Sequence, residues 1–441
     1  METIEYFAFS GRARNTYGMQ YVINNLMSAE YYIQPFNPAS KNPILVSLFW
    51  QEQLYPFLQW RYSASMKGRK VIVGGNYPTS SPNVFKFFDC DVFMGDGELF
   101  KWGDDSYFAE IGKQKKRAYA EKLNPFPYLE VQKSPRGLCE ISRGCKNKCL
   151  FCQYSWLKPY REVDISKVIN VLSGIKGQNI KMVRCFAADR MNHSQIHEIE
   201  LSVKKLGMND ISCDVTLKNI IKHPAGVKNW NSIQIGLEGM SERLRKVVNK
   251  PITDDEVEEC CRIVAWHKKK IVQFYMIYGL PTESDEDVSM FESLIVRLDK
   301  TLPENFTIVL HWNAFQPNAQ TPFQWAAAAT KPRKPLREFW NKQINERIML
   351  VNRPRETSSW TMLKRVLGIR LTEETKNLAY TIAIKGDARA SYDHIILEKY
   401  QEGTGCDLMK EWPLDVPLPW DQFCDYNRNI MMKAYKKAVK T

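Results

Sequence analysis

Residues 140–156, EISRGCKNKCLFCQYSW, place Cys145, Cys149 and Cys152 in the spacing C-x-x-x-C-x-x-C. Three thiolates on one short loop can hold three irons of a cubane cluster and leave the fourth iron without a protein ligand, so that iron is open to a small molecule. Zinc is the competing reading. It usually takes four ligands in paired C-x-x-C units, whereas the next cysteine after Cys152 is the isolated Cys185, inside a strand-like run. The spacing therefore points to a four-iron four-sulfur (4Fe–4S) cluster.

The cysteine loop follows the first of six apolar runs. Residues 138–142, 181–187, 211–215, 232–237, 272–278 and 307–312 read as strands and alternate with helical segments. Six strand–helix units predict a parallel sheet curling into a partial (βα)6 barrel of TIM type, with the active site at the carboxyl ends of the strands. Upstream, residues 44–49 (ILVSLF), 71–73 (VIV) and 91–94 (DVFM) look like buried parallel strands of a Rossmann-like α/β domain. The basic stretch 112–127, with two prolines, reads as a linker. Downstream, helical periodicity in 336–351 and 421–439 predicts a mainly helical C-terminal region. The fold class is thus α/β with three parts: 1–130, 131–330 and 331–441.

The 441 residues, 44% hydrophobic and 12% aromatic, are those of a folded globular chain. No apolar run reaches the roughly 20 residues that span a bilayer, and the first residues lack a signal-peptide core. We expect a cytoplasmic protein without membrane partners, in which the eleven cysteines are reduced. Outside the loop, Cys90, Cys139, Cys185, Cys213, Cys260, Cys261, Cys406 and Cys424 read as small buried hydrophobes. The net charge of +13 favours a polyanionic partner, yet the basic residues lie in short groups (113–117, 268–270, 331–337) that a solvated surface also explains.

With Phe151 just before the last cysteine, the loop resembles the signature of the radical S-adenosylmethionine (SAM) superfamily. The resemblance implies that the open iron chelates the amino and carboxylate groups of SAM. One electron from the cluster then cleaves the carbon–sulfur bond to give a 5′-deoxyadenosyl radical, with a flavodoxin- or ferredoxin-type protein as external one-electron reductant. It extends to residues 235–241 (IGLEGMS) with Arg243, Leu244, Asn249 and Lys250, similar to a strand-to-helix motif of the elongator-type radical enzymes. Residues 276–283 (MIYGLPTE) are similar to the later strand whose backbone edges the adenine. By this resemblance Phe151, Asp189, Glu238 and Gly279 are expected at the cofactor, with Asp189 replacing the usual Gly-Gly-Glu pattern near the methionine amine. Asp189 and Glu238 are equally readable as helix-capping acids.

Residues 71–79 (VIVGGNYPT) and 92–98 (VFMGDGE) resemble the cobalamin-binding domain of one radical SAM subgroup, and 385–391 (KGDARAS) and 419–423 (PWDQF) its tail. One departure stands out. His193, His197, His223, His267, His311 and His394 are the six histidines, so residues 1–192, including 12–18 (RARNTYG), offer no imidazole to cobalt. Either cobalamin binds without a protein ligand or the domain keeps only the fold; loss of cobalamin is favoured. The expected function is a radical SAM enzyme acting on an unactivated carbon by methylation, thiolation, rearrangement or oxidation. A nucleic-acid modifying enzyme is the alternative, with Trp325, Trp340 and Trp360 stacking on bases. A non-catalytic iron–sulfur electron carrier or redox sensor is the alternative from another class, and it lacks the fourth cysteine it would need.

Overall fold

The computed structural model describes residues 2–9, 17–130, 135–212, 214–229, 233–342, 347–351, 359–386 and 392–440. The segments 12–16 and 387–391 of two motifs above, and Cys213, lie outside the described residues. No described helix is long and apolar enough to cross a membrane. The chain divides into two compact units. One comprises Met1–Ala120, Gln316–Ala328 and Ser359–Met432; the other comprises Glu121–Phe315, Ala329–Ser358 and Lys433–Thr441. The stretch expected as a third domain is thus shared, with Ser359–Met432 joining the first unit.

The first unit is built on strands β1 (Thr3–Ala8), β2 (Tyr32–Pro35), β3 (Ile44–Ser47), β4 (Val71–Gly74) and β5 (Asp91–Val92), ordered β2-β1-β3-β4-β5. All the pairings are parallel. Short Val/Ile/Leu runs suit strands buried on both faces, and β3 and β4 are almost wholly buried. Ile4, Leu45 and Ile72 of the sheet pack with Met19, Ile23 and Leu26 of the helix Tyr17–Ser28 and with Phe93 and Phe100. One charge pair lies in this interior. Glu5 takes Arg69 Nη2 at 2.7 Å and the Asn37 amide at 2.7 Å, so neither charge is left unpaired.

Glycine turns follow the strands as the sequence implies. Gly75 has φ +109°, and a Cβ there would stand 2.3 Å from the Leu48 carbonyl oxygen. Gly75→Ala should therefore lose at least about 2 kcal/mol of folding stability, from the backbone conformation and the clash together. A melting curve unchanged from wild type would contradict this. Residues 112–120 are not a loose connector: Lys115 N–H donates to the Phe423 carbonyl at 3.0 Å and Ala118 bridges Gly95. Trp420 and Phe423 of the tail motif are fully buried in the same unit.

The second unit carries β6 (Tyr128–Glu130), β7 (Arg136–Glu140), β8 (Ser142–Arg143), β9 (Arg161–Glu162), β10 (Met182–Phe186), β11 (Asn209–Asp210), β12 (Gln234–Glu238), β13 (Ile271–Tyr278), β14 (Thr307–Ala314) and β15 (Ile348–Val351). One sheet runs β11-β10-β7-β6 and a second β12-β13-β14-β15, and a parallel bridge from Asp214 to Gln234 joins them. The result is a TIM-like partial barrel, parallel throughout except for β6. Helices cover its outer face. Gly137 on β7 lets the helix Ile165–Gly177 approach so closely that a Cβ would meet Ile175 at 2.4 Å. The helices Asp254–Trp266 and Asp285–Thr301 begin at capping boxes, Thr253 with Glu256 and Ser284 with Asp287, and have acidic first turns that suit the helix dipole.

The expected helix over 336–351 is shorter. Lys334–Asn341 is helical, but Ile348–Val351 forms β15 along the otherwise open edge of β14. An unpaired strand edge at this position outweighs a helical pattern in the run IMLV.

Candidate functional site

The cysteine loop leaves β8 and returns through β9. Antiparallel pairing of Ser142 with Glu162 and Arg143 with Arg161 closes its neck. Gly144 turns the chain into the loop at φ +79°, where a Cβ would lie 2.2 Å from the Pro159 carbonyl oxygen. Below it, Arg143 makes two hydrogen bonds to Glu140, at 2.8 and 2.6 Å, both groups buried. Inside the loop, Trp156 Nε1 donates to the Cys149 carbonyl at 2.9 Å, and Lys148 Nζ, over the Trp156 ring, donates to the Ser155 carbonyl. Two bonds fasten the loop to the turn after the helix Glu242–Val247, which follows β12: Leu150 N–H to the Val248 carbonyl at 3.1 Å, and Asn249 Nδ2 to the Lys148 carbonyl at 2.8 Å. This explains why Asn249 and Lys250 belong with the motif 235–241 although they lie in a different turn.

The loop brings Cys149 within electrostatic reach of Cys145 and Cys152, and Cys145 within reach of Cys152. Burial raises the Cys145 thiol above its ordinary range and pushes Cys149 up to about 12, so without a positive centre both stay protonated. Among the described residues no three His, Cys, Asp or Glu side chains converge as ligands of a single ion. A cubane attaches its thiolates to separate irons, so its three ligands need not converge on one point. Three cysteine thiols carried on one short loop are a donor set that a cubane can take, one thiol to an iron. Phe151, between the last two cysteines, is half-buried. Cys90, Cys139, Cys185, Cys260, Cys261, Cys406 and Cys424 are all buried.

Glu238 ends β12 at φ +67°, beside a register shift in the β12–β13 ladder. Its carboxylate pairs with Lys250 Nζ at 3.2 Å, the two side chains being 14% and 17% exposed. Gly236 makes the space: a Cβ there would meet Glu238 Oε1 at 2.1 Å and Lys250 Nζ at 2.8 Å. Burial works against the Lys250 charge, but Glu238 and Cys149 more than offset it and its pKa is raised. The motif marks Lys250 in the sequence, but its pairing with Glu238, twelve positions earlier, shows only when the turn folds back.

Asp189 caps the turn Arg190–Asn192. One oxygen accepts the Met191 N–H at 3.1 Å, and the other accepts Thr216 Oγ1 at 2.7 Å and Asn219 Nδ2 at 2.8 Å. Burial nevertheless raises its pKa, and its charge is felt at Cys145. Gly279, at φ +74°, ends β13 and donates its N–H to Glu283 Oε2 at 2.7 Å, with Ala329 packed where a Cβ would be. Thus Asp189 and Glu238 gather at the cysteine loop, while Gly279 stands at the end of the next strand. The tryptophans proposed to stack on bases do not form a platform: Trp325, Trp340 and Trp360 are all buried.

Residues 139–295, which hold the cysteine loop, Asp189, Glu238 and Gly279, match the Radical SAM superfamily, and this part of the chain is a radical SAM domain. An uncharacterized protein of Methanocaldococcus jannaschii is 25% identical over 229 residues, 49% of this chain and 51% of that one, so the match spans about half of each. Among solved structures, the radical SAM methyltransferase TsrM of Kitasatospora setae, with tryptophan and a SAM analogue bound, superposes with a TM-score of 0.55 at 11% identity, covering 74% of this chain and 75% of that one. The cobalamin-dependent radical SAM enzyme OxsB does so with a TM-score of 0.52 at 12% identity, over 100% of this chain and 80% of that one. The chain therefore has the fold of the cobalamin-dependent radical SAM enzymes.

Proposed function

We propose that this radical SAM enzyme holds a 4Fe–4S cluster on Cys145, Cys149 and Cys152 and uses it to cleave SAM, generating a 5′-deoxyadenosyl radical that attacks an unactivated carbon of its substrate. The observation that carries this reading is the latched loop, which holds Cys149 within electrostatic reach of Cys145 and Cys152. When bound, the cluster supplies the single electron for carbon–sulfur cleavage. The chain's own residues do the rest. Lys250 offsets the negative charge of the buried thiolates, and Glu238, tethered by Lys250, accepts a hydroxyl or N–H of the cofactor. Asp189, held by Met191, Thr216 and Asn219, presents a fixed carboxylate to the methionine ammonium. The backbone at Gly279 edges the adenine, and Phe151 shields the loop. An external one-electron donor of flavodoxin or ferredoxin type completes the cycle.

Cobalamin is bound by OxsB in a solved structure with SAM, and by TsrM beside a [4Fe-4S] cluster. For this chain we propose that cobalamin, if taken up, binds without an imidazole ligand, because residues 1–192 contain no histidine.

Anaerobic reconstitution followed by dithionite reduction with SAM should release 5′-deoxyadenosine, read by mass spectrometry. S-adenosylhomocysteine beside it would assign methyl transfer. A cluster-loaded protein that yields neither product would overturn the proposal.

A further inference from the structure

The concave face of the barrel carries polar residues that the cofactor chemistry leaves unused. Glu238 shares its face with Gly236 and Gln234, since Glu238 folds over Gly236 and the strand alternates. Across the ladder Gln234 is paired with Gln273, Gly236 with Tyr275, and Tyr275 with His311. Contacts along that face agree with the register: Tyr275 stacks on His311 with ring centroids 4.7 Å apart and planes 13° apart, and His311 Nε2 lies 2.8 Å from Gln273 Oε1. The opposite face, with Val272, Phe274, Met276 and Tyr278, is buried. Gln273, Tyr275 and His311 are only half-buried, so they border open space inside the barrel.

Two features set this group apart from a packed core. Gln273 accepts through its carbonyl oxygen, which fixes the proton on Nε2 and leaves the Nδ1 lone pair of His311 without a hydrogen-bond partner among the described residues. Tyr275 fixes the ring plane. The charged side chains nearby are matched in pairs: Arg184 with Asp214, whose bridge to Gln234 puts it on this face, and Glu238 with Lys250. Burial lowers the His311 pKa, so the imidazole is neutral near pH 7 and adds no charge. The register shift pairs Gly236 with Tyr275 and Glu238 with Met276, so Tyr275 stands one residue of β13, roughly 3.3 Å, deeper than Glu238.

Resting on the radical reading of this site, we propose that Gln273, Tyr275 and His311 form the substrate-orienting wall of the barrel, and that they select an uncharged, flat group with an N–H or O–H donor, of amide type, which hydrogen-bonds to Nδ1 of His311. His311 touches the substrate; Gln273 and Tyr275 are positioning residues acting through it. Paired charges repel neither sign strongly but reward none, so an anionic group gains nothing by entering, whereas a neutral donor finds a fixed acceptor.

The test uses the cluster-loaded protein, labelled with ¹⁵N-histidine, and three probes: benzamide, N,N-dimethylbenzamide, which lacks the donor, and benzoate. Benzamide should shift the His311 Nδ1 resonance saturably, and the other two should leave it in place. His311→Phe, which keeps a flat ring, should weaken benzamide binding by about tenfold in calorimetry, as expected for one hydrogen bond. Gln273→Leu should turn the single Nε2–H tautomer into a mixture. An Nδ1 resonance indifferent to benzamide, or equal responses to benzamide and its dimethyl form, would overturn the inference even if His311→Phe folds poorly. Cluster absorption and 5′-deoxyadenosine release are measured on the same wild-type sample. Their failure would sink the radical reading, while an absent shift beside normal release would sink this inference alone.

Discussion

Alanine at Cys145, Cys149 or Cys152 should abolish the cluster and, with it, all reductive cleavage of SAM. The wild-type chain should bind about four irons and four sulfides after anaerobic reconstitution and show the broad visible absorption of a thiolate-bound cubane. On the proposed assignment each cysteine would serve a different iron, and the remaining seven described cysteines are all buried. The fold should survive each change. The neck of the loop is held by β8 and β9, by Glu140–Arg143 and by the bonds to Val248 and Asn249, none of which uses a thiol. Loss of iron with a melting temperature near that of the apo wild type is the expected pair of results. A triple variant that kept its cluster would show the site to be elsewhere.

Glu238→Gln should leave the cluster in place and weaken SAM binding ten- to a hundredfold. A charge-assisted hydrogen bond lost to a neutral amide is worth about 1.5–3 kcal/mol, and each 1.4 kcal/mol is a factor of ten. The companion variant Asp189→Asn should behave differently. An amide offers one acceptor oxygen where the carboxylate serves Met191, Thr216 and Asn219, and its NH2 would face donors. We therefore expect a drop in melting temperature together with weaker cofactor binding, whereas Glu238→Gln should shift mainly the affinity. Calorimetric titration beside a melting curve on each variant separates the two. Unchanged affinity in both would remove Glu238 and Asp189 from the cofactor site.

Much of this was legible in the chain. Cys145, Cys149 and Cys152 are close in sequence, so their gathering requires only a loop, and local spacing reports it directly. The barrel strands were legible for a related reason: short, largely apolar runs between helical segments leave few other solutions. Gly75, Gly236 and Gly279 could be marked as turns or strand ends, but not the partner each one admits.

Sequence by itself thus determined the radical SAM signature, the α/β alternation and the absence of histidine from residues 1–192. Tertiary structure alone decided which distant groups meet. Lys250 reaches Glu238 only because Gly236 lacks a Cβ. Ile348–Val351 is a strand because β14 has an edge to cover. Residues 359–432 join the first unit, with Trp360 buried instead of free to stack. His311 gains a fixed tautomer from Gln273, 38 residues away. In every case the deciding energy is a contact between residues far apart in the chain, such as a buried charge needing its counter-charge or an exposed strand edge needing a ladder, and no local pattern encodes it.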